Sequence, residues 1–163
     1  MLIRLARPED LPALRDIYND EVINGTATLD LRPKSIWDRE SWFYAHNRDN
    51  HPLLTAEEDG AVIGYACLSP YREKEAYAST VELSVYVARS HRGRGVASAL
   101  LAELLALARE DRRTHLVVSV ITGGNAASRR LHEKFGFLSA GVIHQAAFKH
   151  GRWQDIENYE LTV

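Results

Sequence analysis

The sequence predicts a single α/β (α+β) domain over residues 1–163, built as a mixed sheet with helices on its faces. Short apolar runs typical of strands alternate with longer runs whose apolar residues recur at helical spacing. The most strand-like run, STVELSVYVA (79–88), is followed closely by the clearest amphipathic run, GVASALLAELLALARE (95–110). With 163 residues, 45% of them hydrophobic and 26% charged, the chain has the size and composition of one ordinary globular domain.

The first part of the chain predicts a strand, two helices and a hairpin. The predicted elements are a strand over 2–6, a helix over 7–23, a loop over 24–33, a helix over 34–47 and a hairpin over 52–69. Pro8 and Asp10 fall in the first turn of the first helix, which favours proline and acidic residues. Trp37 and Trp42 are expected to pack in the second helix. Asp59-Gly60 is the turn signal of the hairpin.

The rest of the chain predicts one further helix and three further strands. HLVVSVI (115–121) is continuously apolar, as expected for a strand buried on both faces. A short helix follows over 125–137, with Asn125 as its N-cap and Gly136 as its stop. The remaining residues, 142–163, form two strands around a His-Gly turn. The predicted order is therefore β-α-α-β-β-β-α-β-α-β-β.

The bulk properties exclude several classes of function. The formal net charge is −2, so no overall positive field attracts nucleic acid or an anionic membrane. No run approaches the ~18 uninterrupted apolar residues of a membrane-spanning helix. The N-terminus is charged from Arg4, which leaves no apolar segment for a secretion signal, and Cys67 is the only cysteine. We therefore expect a cytoplasmic protein without a membrane or nucleic-acid partner. The histidines of the sequence show no metal-ligand spacing, so we expect no metal site.

The stretch HRGRGVASALL (91–101) concentrates cations and glycines at the start of a helix. The free amide groups of a helix N-terminus favour an anion, and Gly93 and Gly95 let the backbone approach one closely. Arg92 and Arg94 add charge that suits phosphate. The stretch is neither the dinucleotide fingerprint nor a P-loop. A pyrophosphate site is the preferred interpretation, and a solvated basic loop that precedes a helix is the alternative.

Two segments resemble the signatures of the GCN5-related N-acetyltransferases. RGRGVA (92–97) resembles the R/Q-x-x-G-x-G/A loop that wraps the pyrophosphate of acetyl-CoA in that family. NAASRRLHEKFGF (125–137) resembles the second signature, N-x-x-A-x-x-L-Y-x-x-x-G-F. The resemblance implies the acetyl-CoA N-acyltransferase fold, with a mixed, mostly antiparallel sheet of six to seven strands flanked by about four helices.

A narrower resemblance covers nearly the whole chain. The segments IYNDEV, GTATLD, TVELSVYV, NAAS, LHEKFGF and, most diagnostic of all, FKHGRWQD (148–155) are similar to the phosphinothricin and methionine sulfoximine N-acetyltransferase branch. That resemblance implies acetyl transfer from acetyl-CoA to the α-amino group of a small amino-acid-like substrate. It also implies detoxification of such compounds and a homodimer that uses FKHGRWQD and the last strands.

The resemblance further implies which residues hold the cofactor. In the family, the strand before the glycine loop separates from its neighbour and offers backbone amides to acetyl-CoA, while the loop continues around the phosphates. An amide at this place is also a candidate donor to the oxyanion of the reaction. The implied cofactor-binding residues are Val85, Tyr86, Val87, Arg92, Gly93, Arg94, Gly95, Val96, Ala97, Ser98 and Asn125.

Glu82 and His132 are the candidate catalytic residues. Glu82 shares a strand face with Ser84 and Tyr86, and a partly buried carboxylate there could take the amine proton directly or through a water. The alternative is an edge-strand glutamate that faces solvent, but the resembling branch has Glu at this position. His132 stands where many acetyltransferases carry the tyrosine that protonates the thiolate; a packing role is the equal alternative.

The loop PYREKEAYAS (70–79) leads into the Glu82 strand and contacts substrate in the resembling branch. Arg72 and Lys74 could grip a carboxylate or phosphinate there, whereas without the resemblance the loop would be a charged surface. The branch usually has an aromatic residue where this chain has Leu29, which implies a smaller apolar wall. The implied substrate-binding residues are Leu29, Arg72, Glu73, Lys74, Tyr77 and Glu82.

Two other functions stay open at this point. One is acetylation of a protein N-terminus or a polyamine, which a broad acidic groove would favour; the cationic loop with Arg72 and Lys74 instead indicates an anionic acceptor. The other is a non-catalytic acyl-CoA-binding regulatory domain, against which the presence of Glu82 and His132 argues.

Overall fold

The computed structural model describes residues 1–163 as a central sheet with helices packed on both faces. Its seven strands are β1 (Leu2–Leu5), β2 (Leu53–Glu58), β3 (Ala61–Pro70), β4 (Thr80–Val87), β5 (Leu116–Thr122), β6 (Leu138–Lys149) and β7 (Arg152–Thr162). Its four helices are α1 (Leu11–Asn24), α2 (Ile36–Tyr44), α3 (Val96–Glu110) and α4 (Ala126–Lys134). The predicted order of helices and strands is confirmed.

The sheet has the order β1-β2-β3-β4-β5-β7-β6. Every neighbouring pair is antiparallel except β4 and β5, which are parallel. α3 provides the long crossover that a parallel pair requires. The mixed, mostly antiparallel sheet of seven strands and four helices confirms the predicted fold class. None of the helices has the length and hydrophobicity that a membrane-spanning helix requires.

The two parallel central strands separate halfway along their length. β4 and β5 pair only from Thr80 opposite Leu116 to Leu83 opposite Ser119. Beyond this point β4 pairs only with β3, and β5 pairs only with β7. The sheet therefore opens in a V between 84–87 and 120–122, in the middle of the molecule.

The faces of the sheet carry separate apolar cores. On one face, the buried stripe of α3 packs against residues of β2, β3, β4 and β5; on the other, α1 and α2 pack on β2 and β3. Strand alternation produces this division, since Leu54 and Ala66 face α3 while their neighbours Leu53 and Tyr65 face α1 and α2. The V-shaped opening is thus fixed between two packed layers.

Two local predictions are wrong. β6 begins at Leu138, four residues before the predicted start, because Gly136 (φ +88°) ends α4 and the chain immediately pairs with β7, Leu138 opposite Glu160. The start of β6 is exposed and rich in small residues, so it carries little apolar signal. Trp37 does not pack inside the protein: it is 78% exposed, whereas Trp42 is partly buried.

Candidate active site

The glycine loop has the backbone conformation that an anion site requires. Gly93 (φ +73°) and Gly95 (φ +83°) both lie in the left-handed region, and Gly95 directly precedes the first residue of α3. A Cβ atom at either position would have nothing within 4 Å, so the surface above the loop is open to a ligand. The amides at the start of the 15-residue helix α3 are therefore accessible to an anion.

The two loop arginines have different positions. Arg92 lines the cleft above the loop; its Nη2 donates to Glu21 at 2.8 Å and its Nε donates to the Val87 carbonyl at 3.1 Å. Arg94 does not line the cleft, because it turns back to Glu58 and donates to its two carboxylate oxygens at 2.9 and 3.1 Å. Arg92 thus fixes the loop to β4 and α1, whereas the Arg94 side chain lies against Glu58 of β2, away from the cleft.

A cleft of about 460 Å³ begins at this loop and follows the opening between β4 and β5. It brings together most of the residues that the sequence implies for cofactor binding, from three separate segments. Those lining it are Val85, Tyr86, Val87, Arg92, Gly93, Gly95, Val96, Ala97, Ser98 and Asn125. Asn125 also caps α4, because its side chain accepts from the Ser128 amide.

The separation of the strands leaves backbone donors free on β4. The Ala88 amide donates to the Ile63 carbonyl, so by antiparallel alternation the amides of Tyr86 and Ser84 also face β3. The amides of Val85 and Val87 consequently face the opening, where β5 no longer pairs with them. Tyr86 reaches the cleft through its side chain. Free amides above a helix N-terminus fit an elongated ligand with carbonyl groups and a pyrophosphate.

His132 lies at the inner wall of the cleft, but its ring is 1% exposed and both nitrogens are engaged. Its Nδ1 is 2.7 Å from the Ser128 carbonyl, which can only accept, so this nitrogen carries the proton. The Ser119 hydroxyl therefore donates to Nε2, at 2.7 Å. Burial lowers the pKa of His132 below its ordinary value of 6.5, against the Ser128 hydrogen bond that raises it, so the neutral ring predominates at pH 7.

A second, larger cavity of about 840 Å³ lies on the α1–α2 face of the sheet. Its lining comes from α1, α2, the loop between them and strands β3 to β5 and β7. The cavity and the cleft share five lining residues, which are Ala27, Ser84, Tyr86, Val120 and Thr122. The two spaces therefore meet at the V-shaped opening.

Glu82 lines this second cavity from β4, the fourth strand of the sheet order. This position excludes the alternative that Glu82 lies on an edge strand and faces solvent. Glu82 lies on the same face of β4 as Ser84 and Tyr86, as the strand alternation predicted. Burial raises the pKa of its carboxyl above the ordinary value, and no neighbouring cation or hydrogen-bond donor offsets that shift. A carboxylate with a raised pKa and no partner is suited to accept a proton from a ligand.

Arg39 is a buried cation in the same cavity. It is 6% exposed and lines the wall beside Trp42, with its Cζ 3.5 Å from the Trp42 ring centroid and 4.5 Å from that of Tyr18. The sequence did not single out Arg39. One signal was available: with Ile36 and Phe43 it occupies the i, i+3, i+7 face of α2, where a charged residue is unexpected.

The loop between α1 and α2 forms one wall of the cavity, and hydrogen bonds hold two residues of its first half. Leu29, implied by the resemblance, lies in this wall and is partly buried. Lys149, 2% exposed, donates from Nζ to the Thr28 carbonyl at 2.8 Å, and His150 Nε2 donates to the Gly25 carbonyl at 3.0 Å. The KHG turn (149–151) between β6 and β7 therefore fixes the position of this loop. This contact is a structural role for part of the FKHGRWQD segment.

Glu21 connects this loop to the glycine loop. Its carboxylate accepts from the Ala27 amide at 3.0 Å and from Arg92 at 2.8 Å. Burial opposes ionisation, but these two donors hold the pKa of Glu21 below its ordinary value. A Cβ at Gly25 would lie 1.7 Å from Oε1 of Glu21, so only glycine allows this approach. The ion pair in the wall of the cleft is therefore hydrogen-bonded to the loop that forms the wall of the cavity.

The loop after β3 lies outside the lining of the cavity. Arg72, Glu73, Lys74 and Tyr77 are exposed, and none of them lines either space. Arg72 lies over the rings of Tyr71 and Tyr77, with its Cζ 5.0 and 5.8 Å from their centroids. The structure thus brings Leu29 and Glu82 together and leaves these four residues on the surface. No group of three or more His, Cys, Asp or Glu residues could hold a metal ion.

Comparison with known proteins identifies relatives of the whole chain. A family model described as the acetyltransferase (GNAT) family matches residues 11–137. The L-methionine sulfoximine/L-methionine sulfone acetyltransferase of Pseudomonas paraeruginosa is 40% identical over 162 residues, which cover 99% of this chain and 94% of the relative.

Solved structures share the fold at high similarity. A ribosomal-protein-alanine N-acetyltransferase from Brucella melitensis is 43% identical, with a TM-score of 0.96 over 100% of both chains. A GNAT superfamily phosphinothricin acetyltransferase from Sinorhizobium meliloti, solved in complex with AcCoA, is 34% identical with a TM-score of 0.94, over 99% of this chain and 88% of that one. The sequence signatures and the fold therefore point to the same family.

Proposed function

The chain belongs to the acetyltransferase (GNAT) family, and from that premise we propose that it acts as one domain, 1–163, and acetylates the α-amino group of a small amino-acid-like substrate. Acetyl-CoA supplies the activated acetyl thioester. The acceptors we propose are those named for its relatives: methionine sulfoximine, methionine sulfone and phosphinothricin. The observation that carries the proposal is the unpartnered Glu82 carboxylate on β4, in a cavity that meets the cleft at the V-shaped opening.

In this proposal the chain contributes binding, orientation and proton transfer. The amides of Val85 and Val87 and the glycine loop, with Arg92 and the start of α3, hold acetyl-CoA in the cleft. Glu82 takes the proton of the acceptor ammonium, directly or through a water. Even the α-amine of a peptide, with a pKa of ~8, is mostly protonated at neutral pH, so a base of raised pKa that takes this proton supplies the reactive free amine.

His132 enters the proposal as the second proton-transfer group. Its neutral ring carries the proton on Nδ1, towards the Ser128 carbonyl, and accepts from Ser119 at Nε2. Only the imidazolium form can therefore donate from Nε2 to a leaving thiolate. Because the pKa of His132 is lowered by burial, we expect this contribution to decrease as the pH rises.

Arg72, Glu73, Lys74 and Tyr77 stay in the proposal as contacts outside the cavity. β3 ends at Pro70, close to Cys67, and β4 begins at Thr80, close to Glu82; Cys67 and Glu82 both line the cavity. The loop between these strands thus lies near the mouth. Its arginine and lysine suit a polar or anionic side chain that extends out of the cavity.

The test of this function is a survey of acceptors. Release of free thiol from acetyl-CoA should be measured with phosphinothricin, methionine sulfoximine, methionine sulfone, the ordinary amino acids, spermidine and short peptides. We expect turnover with the amino-acid analogues. Turnover with peptides or spermidine alone would reject the proposed acceptor, and binding of acetyl-CoA without any turnover would favour the non-catalytic domain.

Acetylation of a protein N-terminus is the second candidate, favoured by the name of the Brucella relative. A peptide would have to enter past Trp37, which is exposed beside the cavity. Comparing a free amino acid with peptides that begin with the same residue separates the candidates. Peptides that react at least as well as the amino acid would favour the second one.

We also propose that the chain forms a homodimer through β6 and β7. β6 is an edge strand of 12 residues, and the two strands expose a set of large apolar side chains, as expected of an interaction surface. These are Leu138, Val142, Ile143, Phe148 and Trp153. Light scattering of the wild type and of Trp153→Glu tests this: we expect a dimer that the charge dissociates, and a wild-type monomer would refute it.

The biological setting that fits this activity is detoxification in the cytoplasm. Acetylation removes the charge of an α-ammonium group, so an inhibitory amino-acid analogue would no longer resemble the amino acid it mimics. The buried free thiol of Cys67 is compatible with a reducing compartment. Greater sensitivity of a deletion strain to methionine sulfoximine would support this setting, and unchanged sensitivity would contradict it.

A further inference from the structure

Arg39 keeps most of its hydrogen-bonding capacity unused although it is buried. Its guanidinium has five N–H donors, and the only hydrogen bond it makes runs from Nη2 to the Tyr65 hydroxyl at 3.2 Å. The buried Nε has no partner. No ion pair of the protein includes Arg39. A buried charge without an anion is costly, so its retention in a cavity wall points to an anionic ligand.

The aromatic neighbours of Arg39 leave its donors available. Trp42 and Tyr18 lie 3.5 and 4.5 Å from Cζ as ring partners, and such contacts stabilise a guanidinium without using its N–H groups. The other cation in the cavity lining is already neutralised, since Lys34 lies 3.3 Å from Asp30. Arg39 is therefore the cation that the cavity offers to a ligand.

The unpaired groups of the cavity have opposite charges. Arg39 lacks an anion and Glu82 lacks a cation, and both line the same space. Asp30 and Asp38, the remaining acids of the lining, are bound to Tyr18 and Ser35. A cavity with one free cation and one free anion is complementary to a zwitterion, which an α-amino acid is at neutral pH.

We propose that Arg39 binds the α-carboxylate of the acceptor, while Glu82 faces its ammonium group. This inference rests on the proposed function, because it assumes an amino-acid acceptor. It moves the anchor for the α-carboxylate from the exposed residues Arg72 and Lys74 to a buried guanidinium. The planar edge of Arg39 suits a carboxylate, and fixing that group orients the amine towards the cleft.

The test compares two acceptors that differ only in the carboxylate. L-Methionine sulfone carries it, and 3-(methylsulfonyl)propan-1-amine lacks it. For Arg39→Met we expect kcat/KM to fall about 10- to 100-fold with methionine sulfone and to change less than about twofold with the amine, since a hydrogen-bonded charge pair contributes about that factor. Arg109→Met, the same substitution on the exposed face of α3, is the matched control and should leave both values nearly unchanged.

Equilibrium binding separates this inference from the proposed function. Calorimetry with methionine sulfone, in the presence of CoA, measures affinity without turnover. If the wild type binds methionine sulfone through Arg39 but does not acetylate it, the proposed function fails and the carboxylate site stands. If the wild type neither binds nor acetylates methionine sulfone, both fail. If Arg39→Met affects the two acceptors equally, or neither, the carboxylate site is refuted.

Arg39→Lys keeps the test decisive if Arg39→Met does not fold. Lysine retains the charge and loses the planar edge, so we expect a loss of about fivefold or more with methionine sulfone and no loss with the amine. The melting temperature and the Kd for acetyl-CoA verify that each variant is folded. A Lys variant that is folded and treats both acceptors as the wild type does would count against a carboxylate bound by the guanidinium edge.

Discussion

The cleft and the cavity meet at the same strand opening, yet they are built in different ways. The cleft uses backbone groups: free amides of β4, two glycines with positive φ and the start of α3. The cavity uses side chains from α1, α2, the loop between them and four strands. Main-chain groups are the same whatever the side chains are, so they keep binding the same phosphates and amide groups of a ligand. Side chains can be replaced one at a time, and each replacement changes which ligand fits. This difference suits a constant cofactor and a variable acceptor.

The largest effect is expected at Glu82, in the cavity. Glu82→Gln should lower kcat about 10²- to 10⁴-fold, because the base is lost while the side-chain volume is kept. Since burial raises the pKa of Glu82, the acid limb of the wild-type pH–rate profile should lie above the ordinary carboxyl range, and the variant should lack that limb. The Kd for acetyl-CoA should not change. A variant with wild-type turnover and the same profile would show that Glu82 is not the base.

Glu82→Gln should also change stability in a pH-dependent manner. A carboxyl with a raised pKa in the folded state destabilises that state when ionised. The variant should therefore be more stable than the wild type at pH 7, and the difference should disappear below about pH 4, where the carboxyl is protonated both folded and unfolded. Chemical unfolding of the wild type and the variant, at pH 7 and below about pH 4, measures this difference in the free energy of unfolding.

A smaller effect is expected from the backbone of the cleft. Gly95→Ala should raise the KM for acetyl-CoA about tenfold and leave the KM for the acceptor unchanged, because the added Cβ would stand on the open surface where the phosphates approach the backbone. Gly60→Ala is the matched control: φ is +78°, with nothing within 4 Å of the added Cβ, in the hairpin turn between β2 and β3. It should lose similar stability without any effect on KM. Equal effects of both variants on acetyl-CoA would contradict a role of the Gly95 backbone in binding.

A substitution at Lys149 is expected to affect the KM for the acceptor and not the KM for acetyl-CoA, the reverse of Gly95→Ala. Lys149→Met removes the hydrogen bond to the Thr28 carbonyl while keeping the apolar stem of the side chain. The KM for the acceptor should rise about fivefold, since a hydrogen bond from a charged group contributes ~1.5 kcal/mol or more to the position of the cavity wall. The KM for acetyl-CoA should stay constant. An increase in both would show that the two spaces are not independent.

The smallest effect is expected at His132. His132→Asn should lower kcat about threefold near pH 5.5 and less at pH 8, because only the imidazolium has a proton at Nε2 and its fraction decreases with pH. Ser119→Ala is the control, because it removes the hydrogen bond to Nε2 and keeps the imidazole ring. A loss that is the same at both pH values would indicate a packing role for His132.

The cleft was predictable from the sequence to a greater extent than the cavity. Arg92 to Ser98 are contiguous, and a glycine-rich turn between a strand and an amphipathic helix can be interpreted as an anion site without reference to any distant residue. The exception is Arg94, whose partner Glu58 is 36 residues away in the sequence. The cavity depends on such distant contacts throughout. Arg39 belongs to it only because α2 packs on β3 beside Tyr65.

The fold was predicted well for a related reason. The period of the apolar residues is a local signal, and each main element of the structure has one. The start of β6 lacks this signal, since its first residues are exposed and its strand conformation depends on β7. Arg72 and Lys74 illustrate the converse: their charge suggests a substrate contact, but only the packing of the loop determines which way they face.

The KHG turn holds the cavity wall entirely through main-chain oxygens, those of Thr28 and Gly25. Such an attachment does not depend on the identity of the side chains that the wall displays. Leu29 can therefore be replaced by a larger or smaller residue while the wall stays in place. Under the proposed function, we therefore expect acceptor preference to be open to redesign, or to natural drift, through the single codon of Leu29, with the catalytic arrangement kept unchanged.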